Sequence, residues 1–154
     1  MSGYFRLLDA LALVVTANMA PWAAGRLWRE HCAQPLDFGL TLKDGRRLLG
    51  SHKTWRGLLA GVLGCALTAW LLGVGFLLGL AFGALSLAAD ATSSFVKRRF
   101  RFAPGAEAPG LDQLPEALLP LLVLSRPLGI GLSGALAVAL IFLCLDLAAM
   151  PFRR

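Results

Sequence analysis

Leu71-Leu72-Gly73-Val74-Gly75-Phe76-Leu77 stands in the middle of a run, Gly57 to Ala89, that carries no charged side chain. A helix needs about 20 residues to cross about 30 Å of hydrocarbon. The run is therefore too long for one span and right for two. Gly73 and Gly75 supply the turn between them, because glycine accepts backbone conformations that other residues avoid. The spacing predicts one helix from Trp55 to Leu72 and an antiparallel neighbour from Gly75 to Lys97. This hairpin sets the fold class as all-α, an integral-membrane bundle.

Working outward from the hairpin, Tyr4 to Ala24 makes a first span. Its early Arg6 and the small residues near Ala20 resemble a signal peptide, but Asp9 and Asn18 interrupt the apolar core, and the run is long enough to be a retained helix. Leu111 to Leu124 is short and carries Pro115 and Pro120, so it is either a kinked span or a segment that enters and returns, and Ser125-Arg126-Pro127 breaks it. Leu128 to Ala149 makes the last span. The expected architecture is one domain, residues 1–154, with five transmembrane helices and cytoplasmic loops that form the site. Composition agrees: 57% of residues are hydrophobic and 16% charged, more apolar than a soluble chain of this size.

Charge fixes the expected orientation. Every Lys and Arg except Arg6 and Arg126 lies in the loop after the first helix with the start of the second, at the end of the third helix and the loop after it, or in the C-terminal tail. Basic residues gather on the cytoplasmic side, so a multi-pass protein of the cell (inner) membrane is expected, with its N-terminus outside and C-terminus in the cytoplasm. The net charge of +6 is then a topology signal. No stacking aromatics interleave the basic runs, which argues against nucleic acid as a partner.

Gly75, Gly79 and Gly83 recur at four-residue spacing, a row that lets helices approach closely in lipid. Asp90 lies seven residues beyond Gly83 and so shares its face, with Ser94 and Lys97 continuing it. An ionisable group at such a place is costly to hold, and is by default a functional candidate with a partner. Asp112 stands across the short basic loop from Asp90, and Glu116 one helical turn further on. Carboxylates converging on one cytoplasmic rim repel each other unless a cation intervenes. A hard divalent ion, Mg2+, relieves that repulsion and grips phosphate oxygens. Asp90 and Asp112 are thus candidate metal ligands, with Glu116 either a third or an ordinary helix-start carboxylate.

Lys53 and Arg56 sit at the entry to the second helix among Gly50, Ser51, Thr54 and Gly57. Small residues let backbone amides approach a phosphate while Lys and Arg supply charge. Lys97, Arg98 and Arg99 play the corresponding part after the third helix, beside their ordinary role of anchoring topology. Asn18, a polar group inside the first span, faces either a neighbouring helix or a substrate.

Other chemistries are excluded. Cys32, Cys65 and Cys144 are far apart, and neither His31 nor His52 has a partner at ligand spacing, so zinc is not expected. Gly45 to Thr54 loosely imitates a phosphate-binding P-loop, but Ser51-His52 separates the glycine from Lys53-Thr54 and no buried strand precedes it.

Several blocks together carry a resemblance. They are Ala17-Asn18-Met19-Ala20-Pro21, Pro35-Leu36-Asp37-Phe38-Gly39, and Asp44-Gly45-Arg46 running on to Lys53-Thr54-Trp55-Arg56-Gly57. Asp90 with Ser94-Phe95-Val96-Lys97-Arg98-Arg99, and Leu111-Asp112-Gln113-Leu114, complete the set. In this order they resemble the CDP-archaeol synthase family of integral-membrane cytidylyltransferases, which is itself similar to the CDP-diacylglycerol synthases. Ala89 departs from the family's usual glycine, and Pro115-Glu116 from its second aspartate.

The resemblance implies transfer of a cytidylyl group from CTP to a membrane lipid phosphate, with Mg2+ and release of pyrophosphate. It implies catalytic roles for Asp90, Asp112 and Lys97. Substrate contacts would come from Asn18, Lys53, Thr54, Arg56, Ser94, Arg98 and Arg99, and metal ligation from Asp90, Asp112 and Glu116. Two alternatives stand beside it: a CTP-dependent lipid kinase, and a non-catalytic membrane protein that binds anionic lipid.

Overall fold

The computed structural model describes residues 3–29, 31–103, 110 and 113–149. Six helices follow one another: α1 (Gly3–Trp28), α2 (Trp55–Leu71), α3 (Phe76–Arg99), α4 (Gln113–Val123), the single turn α5 (Ser125–Leu128) and α6 (Gly131–Ala149). Three of them, over Arg6–Trp28, Phe76–Arg99 and Gly131–Ala149, are long and apolar enough to cross a membrane; α2 and α4 are apolar but shorter. The described residues are therefore an all-α bundle. Helix α1 runs one turn further than its apolar pattern predicts, to Trp28. The Ser125-Arg126-Pro127 break is not a simple interruption but one helical turn, ended by Gly129 at φ 68°.

The expected hairpin forms the centre. Gly73 at φ 70° and Gly75 at φ 117° turn the chain, and the amides of Val74 and Gly75 both donate to the Ala69 carbonyl, at 2.8 and 3.2 Å. Gly75 thus belongs to the turn, not to the packing row. Gly79 and Gly83 do pack: a Cβ at Gly79 would lie 2.7 Å from the Ala66 Cα, and one at Gly83 would lie 2.8 Å from the Val62 Cα. Only glycine permits that approach of α3 to α2. On the other flank of α2, Gly57 and Gly61 meet Pro21 of α1, and Gly64 meets Ala20.

Small residues from α1 and α2 (Ala10, Ala17, Cys65, Ala69) and larger ones from α3, α4 and α6 (Phe82, Leu121, Val138, Phe142) fill the interior. Leu59, Leu63, Leu67, Trp70, Leu77, Leu132 and Leu140 point outward. That apolar exterior is stable against lipid and would not be against water.

Residues 31–54 fold over one end of the bundle as a cap. Its hub is Asp37, whose side chain has no exposure. One carboxylate oxygen accepts from the Gly39 amide (3.0 Å) and the Arg47 guanidinium (2.7 Å), and the other from the Leu49 and Gly50 amides (both 3.1 Å). Burial would raise the Asp37 pKa, but those three amides and Arg47 outweigh it and hold the group at about 2. Isolated bridges pair Pro35 with Thr54 and Thr41 with Arg47. Arg46 ties the cap to α3 by donating to the Arg98 and Arg99 carbonyls, at 3.1 and 3.4 Å. Those carbonyls stand at the C-terminus of α3, where a cation is favoured.

Candidate active site

The cap and the helix ends enclose a cavity of about 320 Å³ lined by four helices. Helix α1 contributes Ala17, Asn18, Pro21, Trp22 and Gly25; the entry to α2 contributes His52, Lys53, Thr54, Arg56 and Gly57. Asp90 of α3 and Glu116 of α4 complete the polar lining. The ammonium of Lys53 lies 2.5 Å from Asp90 Oδ2, each side chain about a fifth exposed. Glu116 is buried, and Asn18 Nδ2 approaches both of its oxygens at 3.4–3.5 Å. Asn18 therefore bridges α1 to α4 and also lines the cavity.

Pro21 matters to the same wall. It has no amide hydrogen, so the Ala17 carbonyl one turn earlier lacks its intrahelical donor, and both residues line the cavity.

The remaining candidates divide. Thr54 is the N-cap of α2, its hydroxyl accepting from the Gly57 amide at 3.2 Å. Arg56 lines the cavity while donating to the Arg29 and His31 carbonyls at 2.6 and 2.7 Å, which fixes the end of α1 to the entry of α2. Arg98 is buried and donates to the Ala103 carbonyl at 2.9 Å. With Arg46, Arg47, Gly50, Arg101 and Phe102 it lines a second, strongly cationic pocket of about 270 Å³. Arg99 is drawn toward the cap, paired with Asp44 at 2.5 Å and donating to the Arg47 carbonyl at 2.9 Å. Lys97 and Ser94 are buried in α3.

Asp112 lies outside the described residues; among the described residues Glu116 shares the cavity lining with Asp90. Two of the amides expected near a phosphate are engaged within the protein: the Gly50 amide by Asp37 and the Gly57 amide by Thr54.

Two residues escaped sequence reasoning. His52, discounted as a zinc ligand, lines the cavity. Partial loss of water lowers its pKa to about 4, aided by Lys53 and Arg98 and opposed by Asp90, so its imidazole is neutral at pH 7. Asp146 is buried in α6 and accepts a 2.9 Å hydrogen bond from Gln113 of α4. Its signal was present: a lone ionisable residue in an apolar span.

Fold and cavity together define a helical membrane protein with a polar chamber, rich in amine, guanidinium and carboxylate groups, sunk into one end of its bundle. The CarS-like family model, described as CDP-archaeol synthase, matches residues 6–78 and 70–150, and the chain belongs to that family. A CDP-archaeol synthase of Aeropyrum pernix is 37% identical over 93% of this chain and 87% of its own length. Those of Methanopyrus kandleri (48% identical, 53% of this chain) and Thermofilum pendens (45%, 64%) align over half of their own length; the chain spans about half the length of these two relatives. A solved structure, described as an intramembrane enzyme for archaeal membrane lipids biosynthesis, superposes with a TM-score of 0.74 at 35% identity, covering 93% of each chain.

Proposed function

We propose that the protein transfers a cytidylyl group from CTP to the phosphate of a membrane lipid and releases pyrophosphate. The observation that carries this reading is the four-helix cavity, which brings Lys53 and Arg56 against Asp90, Glu116 and Asn18. Cations for a polyphosphate and carboxylates for a hard metal rarely share one chamber in a membrane bundle, where each is costly to bury.

The donor set fits Mg2+. Asp90 and Glu116 offer oxygen ligands with no thiolate beside them, and Mg2+ typically takes one or two carboxylates and completes its shell with substrate phosphates and water. Among the described residues no three carboxylates, histidines or cysteines gather at metal-binding range. Asp90 and Glu116 would hold it, with Asp112 a further candidate. When bound, Mg2+ neutralises charge on the phosphoryl oxygens.

The chain's own residues position and compensate. Lys53 and Arg56 hold the phosphates from the α2 side, and Lys97 and Arg98 add positive field from the end of α3. A lipid phosphate oxygen attacks the α-phosphorus of CTP as the bond to the bridging oxygen breaks, and the electron pair leaves with pyrophosphate. A phosphate monoester is already anionic near neutral pH, so no base need activate it. Positioning and electrostatics supply the rate.

The same reading takes five helices through the membrane. Helix α2 is about 25 Å long at 1.5 Å per residue and is packed between α1 and α3, while α4 continues through α5. The cap and cavity then face the cytoplasm, the N-terminus lies outside, and CTP reaches the site from the cell interior.

The test is detergent-purified protein with CTP, Mg2+ and a panel of lipid phosphates. Pyrophosphate and a CDP-lipid are the expected products. CDP with a phosphorylated lipid would instead mark a kinase, and no turnover with any acceptor would leave a lipid-binding protein.

A further inference from the structure

A second concavity lies on the outer flank of α1 and α2. It is about 700 Å³, more than twice the reaction cavity, and is lined by Ala20, Trp22, Ala23, Ala24, Leu27 and Ala60 with Arg26 and Trp28 at its edge. Alanines at four of these positions make the depression, and the two tryptophans and Leu27 make its walls. Trp22 also lines the reaction cavity, so one indole is the partition between an apolar groove and a chamber of phosphate-binding cations. Arg26 stacks over that indole, its guanidinium carbon 4.7 Å from the ring centroid. The groove's one charged lining residue is therefore held beside the partition.

We propose that this groove receives the hydrocarbon chains of the acceptor lipid, which enters sideways from the bilayer and passes its phosphate beyond Trp22 to Lys53 and Arg56. The inference rests on the lipid-phosphate reading above and adds a place and a direction of entry. The occupant must be apolar along the groove and anionic at its Trp22 end, because the groove offers alanine, leucine and indole with Arg26 held beside Trp22, and the chamber beyond offers Lys53 and Arg56. A nucleotide fails the first requirement and a neutral lipid fails the second. Tryptophan and arginine at the end of a membrane helix also match the headgroup level, where amphipathic rings and cations settle.

Two measurements test it. The first reads position without turnover. Wild-type protein in detergent is irradiated with a lipid phosphate that carries a photoreactive diazirine in its chain, and labelled peptides are mapped by mass spectrometry. Label is expected on residues 20–28 and around Ala60, displaced by an unlabelled lipid phosphate but not by a neutral diglyceride with the same chains. Label elsewhere on the bundle, or equal displacement by the neutral lipid, overturns the proposal.

The second reads specificity. Ala23→Trp and Ala60→Leu narrow the groove, and kcat/KM is compared for a long-chain and a short-chain lipid phosphate. The long-chain acceptor should lose about tenfold relative to the short one, the scale at which apolar pockets discriminate. An unchanged ratio in both variants overturns the proposal. Failure of the underlying reading looks different: no pyrophosphate with either acceptor, whatever the labelling pattern.

Discussion

Lys53 Nζ meets Asp90 Oδ2 at 2.5 Å across 37 residues of sequence, joining the entry of α2 to the C-terminal half of α3 inside the four-helix cavity. In the absence of substrate each neutralises the other. On the proposed reading, bound CTP and Mg2+ would give the two groups different partners, phosphate for the Lys53 ammonium and the metal for the Asp90 carboxylate. Asp90→Asn should lower kcat on the order of 10²–10³-fold, the loss typical of removing one preorganised charge. Because each side chain is only about a fifth exposed, removing one partner leaves the other's charge poorly compensated, so the melting temperature in detergent should fall as well. Lys53→Met should chiefly raise KM for CTP. The exchanged variant, Lys53→Asp with Asp90→Lys, should stay inactive; recovery of turnover in it would show that the ion pair itself is what function requires.

Glu116 stands one residue beyond the position where the family's second aspartate is expected, and the structure turns it into the cavity against Asn18. If it replaces the missing ligand, Glu116→Gln should weaken the apparent Mg2+ affinity. Asn18→Leu, which removes the amide that orients the carboxylate, should weaken it about 10–100-fold. Pyrophosphate release measured across a Mg2+ titration distinguishes this from loss of nucleotide binding. A fall in kcat with no shift in the Mg2+ midpoint would remove Glu116 from the metal site.

The helices and the Lys53, Arg56 and Asp90 cluster were legible because both rest on local signals: uncharged length, turn glycines and ionisable residues at span ends. The loop between the first two helices is long enough to fold over the bundle as a small cap, but what holds that cap together was not legible. Asp37 looks like any loop aspartate, yet it organises Gly39, Arg47, Leu49 and Gly50 through contacts up to thirteen residues away. For the same reason the Gly50 amide looked available to a phosphate when it was committed to Asp37. Arg99 was equally ambiguous, since a basic residue at a helix end gives no sign of whether it faces a ligand or, as here, Asp44.

The cap should be sensitive to acid. The Asp37 pKa is lowered from 3.8 to about 2 in the folded protein, so its stabilisation is present above pH 4 and is lost as pH falls from about 4 to 2. The shift corresponds to about 2 kcal/mol at one pKa unit per 1.36 kcal/mol. Asp37→Asn should therefore melt below wild type at pH 6, and the difference should close as the pH approaches 2. A gap of constant size over that range would mean that the carboxylate's charge does not hold the cap.

Close approach of α3 to α2 sets where Asp90 stands relative to Lys53, which makes the glycine contact a remote determinant of activity. At Gly79 a methyl group would collide with the Cys65 carbonyl and the Ala66 backbone, neither of which is a flexible side-chain tip. Gly79→Ala must push the helices apart, at a cost of about 1–3 kcal/mol for overpacking of this kind. At Gly64 the nearest atoms are the Ala20 and Thr16 methyls, at 3.2 and 3.3 Å, so Gly64→Ala needs only a small adjustment between α1 and α2. The expected order of melting temperatures is wild type, then Gly64→Ala, then Gly79→Ala. Because α3 carries Asp90, Gly79→Ala should also lower kcat/KM in the folded fraction more than Gly64→Ala does. Equal melting temperatures for the two variants would mean that α2 and α3 pack less tightly than the structure requires.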